Sequence, residues 1–124
     1  MSDYDTGMST RREVLGDEHV ERATARAGAF GQPFQEFITR YAWGGPWSRP
    51  GIDRRLRSAI TITALVCVRA HDELALHLRA ALRNGLSTEE IREILLHSAI
   101  YAGVPAANSA FAVAARVLAE EGAS

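Results

Sequence analysis

An all-α fold is the class this sequence predicts, and three observations carry the prediction. Apolar residues recur at helical spacing through most of the chain. Helix start and stop signals punctuate it: Pro33, Asp53, Asn84-Gly85, Ser87, Gly103 and Pro105. Only Ile60-Thr61-Ile62-Thr63 alternates in the manner of a strand, and the apolar pattern runs on through Val68, which is long for a strand. About six helices are expected.

Residues 1–9 are polar with Gly7 among them, and they read as a loose tail. A helical pattern begins at Thr10 and is interrupted by Gly16, and Asp17 can cap a continuation through Arg26. Pro33 suits the first turn of the next helix. Phe34, Phe37, Ile38 and Tyr41 then fall on one side of it. Trp43 to Gly51, WGGPWSRPG, is the one long loop signal, and it carries two tryptophans. Asp53 can cap a buried helix from Arg54 to about Arg69. The next helix starts near Asp72 and stops at Asn84-Gly85. Ser87-Thr88-Glu89-Glu90 forms a capping box: the serine oxygen accepts from a free backbone N–H, and the glutamate reaches back. The helix that follows is apolar almost all round, with Glu93 and His97 on a narrow polar strip besides Arg92. Such a helix must be covered on several sides, which in so small a protein points to a partner subunit. Gly103 ends it, and Pro105 opens an alanine-rich helix to about Glu121. Residues 10–124 read as one domain, without internal repeat or low-complexity segment.

Composition narrows the function classes. The chain has 124 residues, 47% hydrophobic and 23% charged, as expected of a folded domain. A net charge of −1 offers no basic field for nucleic acid. Cys67 is the single cysteine, so neither an internal disulfide nor a CxxC redox pair can form. The N-terminus MSDYDTGMSTRR lacks the apolar core of a signal peptide, and no apolar run approaches a membrane span. A reducing cytoplasm is the expected compartment.

His77 stands between Leu74, Leu78 and Ala81 on the core-facing stripe of its helix. Glu73 lies one turn earlier, close enough for the two side chains to meet. A carboxylate beside an imidazole orients the ring and holds its proton, which suits a general acid or base. The competing reading is a satisfied core histidine with a solvated glutamate. His97 can equally fill the polar strip with Glu93. His19 and His71 lie near helix starts and are expected to be exposed. His71 and His77 fall on opposite sides of a helix, and no third ligand matches them, so no metal site is expected. Arg49, Arg54, Arg55 and Arg57 form the densest basic cluster, directly after the tryptophan loop. Arginine forks bind carboxylates bidentately, and aromatic walls exclude water, a combination suited to a small organic anion. The alternative is a solvated helix start, although arginines there oppose the helix dipole. Tyr41, Trp43 and Trp47 suit either a pocket wall or core and interface anchors. Tyr101 and Asn108 flank a turn of small residues, where Asn108 can bind a ligand or tie down backbone. Ser58 and Ser109 have no base at useful spacing.

Taken in order, RREVLGDEHVERA, QEFITRYAWGGPW, RPGIDRRLRSAITIT, LHLRAALRNG and EEIREILLHSAIYAGVPAAN resemble the 4-carboxymuconolactone decarboxylase family, from about Arg11 to Glu120. The pair ITRYAWG and HSAIYAGVPAAN is the most specific part. The resemblance implies an alkylhydroperoxidase D-like helical bundle, assembled as a trimer or hexamer. It implies conversion of 4-carboxymuconolactone to 3-oxoadipate enol-lactone and CO2, in the protocatechuate branch of the β-ketoadipate pathway. The redox branch of that superfamily carries a CxxC ahead of the histidine matched by His77. Here those positions hold Ala70 and Glu73, and Ser58 replaces that branch's upstream glutamate. Both departures favour the decarboxylase branch. No cofactor is then expected. His77, oriented by Glu73, is the expected proton donor, and Arg54 or Arg57 the receptor for the retained carboxylate. Tyr41, Trp43, Trp47 and His97 are the expected walls, with Tyr101 or Asn108 as oxyanion donors. The alternatives are a related lactone decarboxylase or isomerase of another small acid, and a non-catalytic small-acid-binding oligomer.

Overall fold

The structure is a computed structural model and describes residues 2–123. Every regular element among them is helical: α1 (Asp3–Leu15), α2 (Asp17–Ile38), a π turn (Thr39–Trp43), a 3-10 turn (Pro46–Ser48), α3 (Arg54–Val68), α4 (His71–Arg83), α5 (Thr88–Ala102) and α6 (Val104–Glu120). They group into two compact units, Met1–Arg54 and Arg55–Ser124. No helix among the described residues is long and apolar enough to cross a membrane.

In the first unit, most of the stretch expected as a loose tail is helix. Ser2 caps α1, its hydroxyl oxygen accepting from the Asp5 N–H at 3.1 Å, and Asp3 and Asp5 complement the helix dipole. Polar composition alone concealed this start. Gly7, a weak helix former, is there for packing: a Cβ would lie 2.0 Å from the Thr39 carbonyl oxygen and 2.8 Å from the Gly44 nitrogen. Gly16, at φ 93°, closes α1 by donating to the Arg12 carbonyl at 2.8 Å, and it also stands at the cap of α2. Asp17 therefore sits in the first turn of α2 rather than capping it. Gly28, at φ 59° and ψ −162°, breaks α2, and Pro33 lies inside the segment beyond the break, not in the first turn of a separate helix. Phe34, Phe37 and Tyr41 share a side as expected, but that side is exposed in the single chain. The expected loop from Trp43 is tighter than its composition suggests. The Gly44 N–H donates to Thr39 O at 2.8 Å, the five-residue closure of a π turn, and Trp43 is buried.

The second unit holds a continuous core of Ile62, Val66, Leu74, Leu78, Leu86, Ile91, Leu95, Ala110, Ala114 and Val117, joined by smaller neighbours. Each buried Leu or Ile contributes about 1.5–3 kcal/mol by leaving water. The ambiguous 60–63 stretch is helical: Ser58, Ile62 and Val66 are buried at intervals of four, the period of a helix rather than a strand. The α3–α4 turn is a Schellman motif, with Ala70 N donating to Leu65 O at 3.1 Å and Arg69 N to Val66 O at 3.2 Å. Arg69 occupies its left-handed position at φ 58°. Gly85 (φ 98°) and Gly103 (φ 94°) stop α4 and α5 where expected. The Ser87 capping box forms as expected: Ser87 Oγ accepts from Glu90 N at 3.0 Å, and Glu90 Oε1 accepts from Ser87 N at 2.9 Å. α6 packs against both α4 and α5, and its buried face is largely alanine, which permits close approach.

Candidate active site

His77 lies on the face of α4 whose neighbours Leu74, Leu78 and Ala81 are fully buried. The ring itself is half-buried, and its Nδ1 is enclosed from solvent. A half-buried imidazole is the kind of group that can pass a proton to a bound molecule. Glu73 is exposed one turn earlier, and no hydrogen bond joins its carboxylate to the His77 ring among the described residues. Spacing on the helix alone therefore does not put the two in a hydrogen bond.

The arginine cluster divides. Arg55 is a structural tie: NH2 donates to Glu90 Oε2 at 2.5 Å, and NH1 to Glu90 Oε1 at 3.2 Å and to Gly85 O at 2.7 Å. With the Arg55 guanidinium and the Ser87 N–H bonded to it, the Glu90 carboxyl is held down to about 2. Arg54 is paired with Glu13 at 2.8 Å. Arg57 is half-buried, with Nε enclosed. Arg49 is exposed.

The aromatic candidates fall into two stacked pairs and one tilted pair. Trp43 and Trp47 stack with centroids 5.0 Å apart at 28°. Phe37 and Tyr41 stack at 5.4 Å and 14°. His97 and Tyr101, both exposed on α5, meet at 5.5 Å and 40°. Asn108 is exposed in the first turns of α6. Ser58 is fully buried and accepts from Asn84 Nδ2 at 2.9 Å. Cys67 is exposed. His71 is exposed as expected, whereas His19 is half-buried. No group of three or more His, Cys, Asp or Glu side chains placed to hold a metal ion occurs among the described residues.

Sequence reasoning missed Arg11, which polar surroundings marked as surface. It is only 3% exposed. Its NH2 donates to Gln35 Oε1 at 2.8 Å and its NH1 to Thr39 Oγ1 at 3.2 Å, while Thr39 Oγ1 donates to Gln35 O at 2.7 Å. Burial pulls the Arg11 guanidinium below its ordinary range, opposed by Tyr4 and helped by Arg12. The signal was present as a stripe: Gly7, Thr10, Arg11 and Val14 follow helical spacing and are all buried.

Two kinds of comparison bear on this arrangement. A sequence profile of the Carboxymuconolactone decarboxylase family matches residues 32–116. The chain is similar to a 4-carboxymuconolactone decarboxylase of Acinetobacter baylyi, at 45% identity over 96% of this chain and 89% of the relative. It is similar at 44% identity to a nitrosuccinic acid decarboxylase of Metarhizium robertsii, over 93% of this chain and 80% of that one. A 4-carboxymuconolactone decarboxylase of Pseudomonas putida matches at 54% identity over 33% of this chain and 85% of its own sequence.

Proposed function

The chain belongs to the carboxymuconolactone decarboxylase family, and from that premise we propose that it decarboxylates 4-carboxymuconolactone to 3-oxoadipate enol-lactone in the cytoplasm, without a cofactor. The observation that carries this reading is the 45% identity to the Acinetobacter baylyi decarboxylase across nearly the whole of both sequences. The all-α, alkylhydroperoxidase D-like fold of the family agrees with the helices described above.

The reaction breaks the bond between the ring carbon and the departing carboxylate. CO2 leaves, and the electron pair is delocalised through the ring double bond onto the lactone carbonyl oxygen. A proton then joins the carbon next to that carbonyl, and the donor regains one from solvent. His77 is the proposed donor, with Glu73 orienting it. The retained acetate arm needs a cation. Arg54, which pairs with Glu13, or the half-buried Arg57 is the proposed receptor. An arginine on the departing carboxylate would stabilise the ground state and slow the reaction, since only stronger binding in the transition state accelerates it. Tyr41, Trp43, Trp47 and His97 are the proposed walls. Tyr101 or Asn108 is the proposed donor to the developing oxyanion.

The test is a decarboxylation assay on freshly generated 4-carboxymuconolactone, following loss of the lactone and release of CO2. Absence of turnover above buffer would reject the reading. A second reading, decarboxylation of nitrosuccinic acid, is favoured by the Metarhizium robertsii relative. There a nitro group takes the electron pair that the unsaturated lactone takes here. Both acids assayed side by side decide between them by the larger kcat/KM.

A further inference from the structure

One face of α1 closes on the turn that carries the tryptophan pair. Asp3, Gly7, Thr10 and Arg11 lie at helical spacing along it, and each meets the segment from Gln35 to Ser48. The Asp3 carbonyl oxygen lies 2.6 Å from where a Cβ on Gly44 would stand. Gly7 faces the Thr39 carbonyl so closely that no side chain fits between them. Thr10 Oγ1 lies 2.8 Å from Ser48 Oγ, and the Ser48 hydroxyl donates to the Trp43 carbonyl at 2.5 Å. Arg11 reaches both Gln35, in the final turn of α2, and Thr39, the first residue of the π turn.

The chemistry of this contact is unusual for packing alone. A guanidinium buried to 3% exposure normally sits against a carboxylate. Here both acceptors are neutral, an amide and a hydroxyl, and Nε is enclosed without a hydrogen-bond partner among the described residues. An alkyl side chain would fill that space at lower desolvation cost. What the guanidinium adds is direction. Its rigid fork fixes two acceptors one turn apart, and between them the chain passes from α-helical to π geometry. Thr10 and Ser48 fix the other end of the same turn, at the carbonyl of Trp43. The Trp43–Trp47 stack is held between these two anchors.

We propose that Arg11, with Thr10, is a positioning residue of the decarboxylase: it acts through the π turn to set the stacked indoles of Trp43 and Trp47 as the substrate wall. The assignment rests on the reading of those tryptophans as part of the site. It places an essential part of the site's support in residues 3–15, outside the span 32–116 matched by the family profile.

The experiment compares Arg11→Met, Arg11→Lys and Thr10→Val with the wild type and with Arg12→Met, whose arginine pairs outward with Glu21 and Asp17. Two stacked indoles at 5.0 Å couple their transitions, so circular dichroism in the indole bands reports the stack without any substrate. Arg11→Met is expected to keep its far-ultraviolet helical spectrum, to lose most of the indole signal, and to raise KM about tenfold or more with a smaller change in kcat, the scale of a displaced positioning element. Arg11→Lys should recover part of both, since an ammonium can still donate to one acceptor. Arg12→Met should resemble the wild type. A helical Arg11→Met protein with unchanged indole signal and unchanged KM overturns the proposal. Should Arg11→Met fail to fold, Thr10→Val decides: a weakened indole signal with raised KM supports the clamp, and wild-type values for both overturn it. Because the indole signal needs no substrate, a wild type inactive on the lactone rejects the proposed function while the clamp is still decided.

Discussion

The proton that ends the proposed reaction must come from a group able to hold and release it near neutral pH; His77 and His97 are the histidines proposed for the site, and His77 is the proposed donor. His77→Gln keeps the size and one donor but cannot transfer the proton. Its kcat should fall by roughly two orders of magnitude, the scale of losing a positioned general acid, with the helical spectrum unchanged. Near-normal turnover in such a protein would make the histidine structural. The arginines should separate by readout. Arg57→Met should cost about 2–5 kcal/mol of substrate affinity, one to several orders of magnitude in KM, as expected when one partner of a partly dry arginine–carboxylate contact is removed. Arg55→Met should act on stability instead, because Arg55 binds Glu90 and the Gly85 carbonyl. A raised melting midpoint for Arg55→Met, or a KM unchanged by Arg57→Met, would contradict this division. Cys67→Ser should leave both turnover and stability near wild type, since the thiol is exposed. At this scale the sequence shows which residue types could carry the chemistry, but not which are engaged. The spacing that put Glu73 beside His77 gives proximity along a helix and leaves the rotamer open. The ion pair that occupies Arg54 joins residues 41 positions apart, and no local pattern announces it.

Elements were legible where their ends are chemically marked. Ser87 with Glu90, Asn84-Gly85, Gly103 and Pro105 each identify a boundary that is observed within a residue or two. α1 was hidden because its cap, Ser2, lies in a segment whose polarity suggested no structure, and because Arg11 turns inward against its usual preference. The α3–α4 turn has a cost that can be removed. Arg69 holds φ 58°, a conformation that crowds its Cβ and that glycine adopts freely. Arg69→Gly should stabilise the protein by about 1 kcal/mol, seen as a higher denaturation midpoint, and a lower midpoint would show that the arginine side chain contributes more than the strain costs. The capping box gives a pH dependence. Glu90 is depressed from 4.5 to about 2 by Arg55 and the Ser87 N–H, so it stabilises the folded state fully above its unfolded value. That contribution is lost as pH falls from about 4.5 toward 2. Glu90→Gln should therefore be less stable than wild type at neutral pH and converge with it in acid. Parallel acid limbs for the two proteins would show that the Glu90 charge does not contribute.

The matched span 32–116 includes residues of both compact units. Surface chemistry is the ground for proposing that the chain assembles with copies of itself. Phe30, Phe34, Phe37 and Tyr41 recur along the second half of α2 and the π turn at intervals of four, three and four, and all four are exposed, Phe30 at 101%. Leu96, Ile100 and Tyr101 are exposed on α5 and Val104 at the start of α6, with Ile100 at 77%. Scattered apolar residues on a surface are ordinary, but stripes at helical period are not, because the period is what an opposing surface reads. α5, expected to need covering on several sides, buries one face through Ile91, Leu95 and Ser98 and leaves Leu96, Ile100 and Tyr101 exposed. A homo-oligomer, trimer or hexamer, is the proposed remedy: identical chains present identical stripes, and closed symmetry buries them all without further association. Light scattering at micromolar concentration should then give a mass of three or six chains. Phe34→Glu combined with Phe37→Glu should shift it toward smaller species, since each buried carboxylate would be desolvated against an apolar partner. A stable, fully active monomer in the wild type would refute the assembly and leave the aromatic stripe of α2 without a purpose that packing can supply.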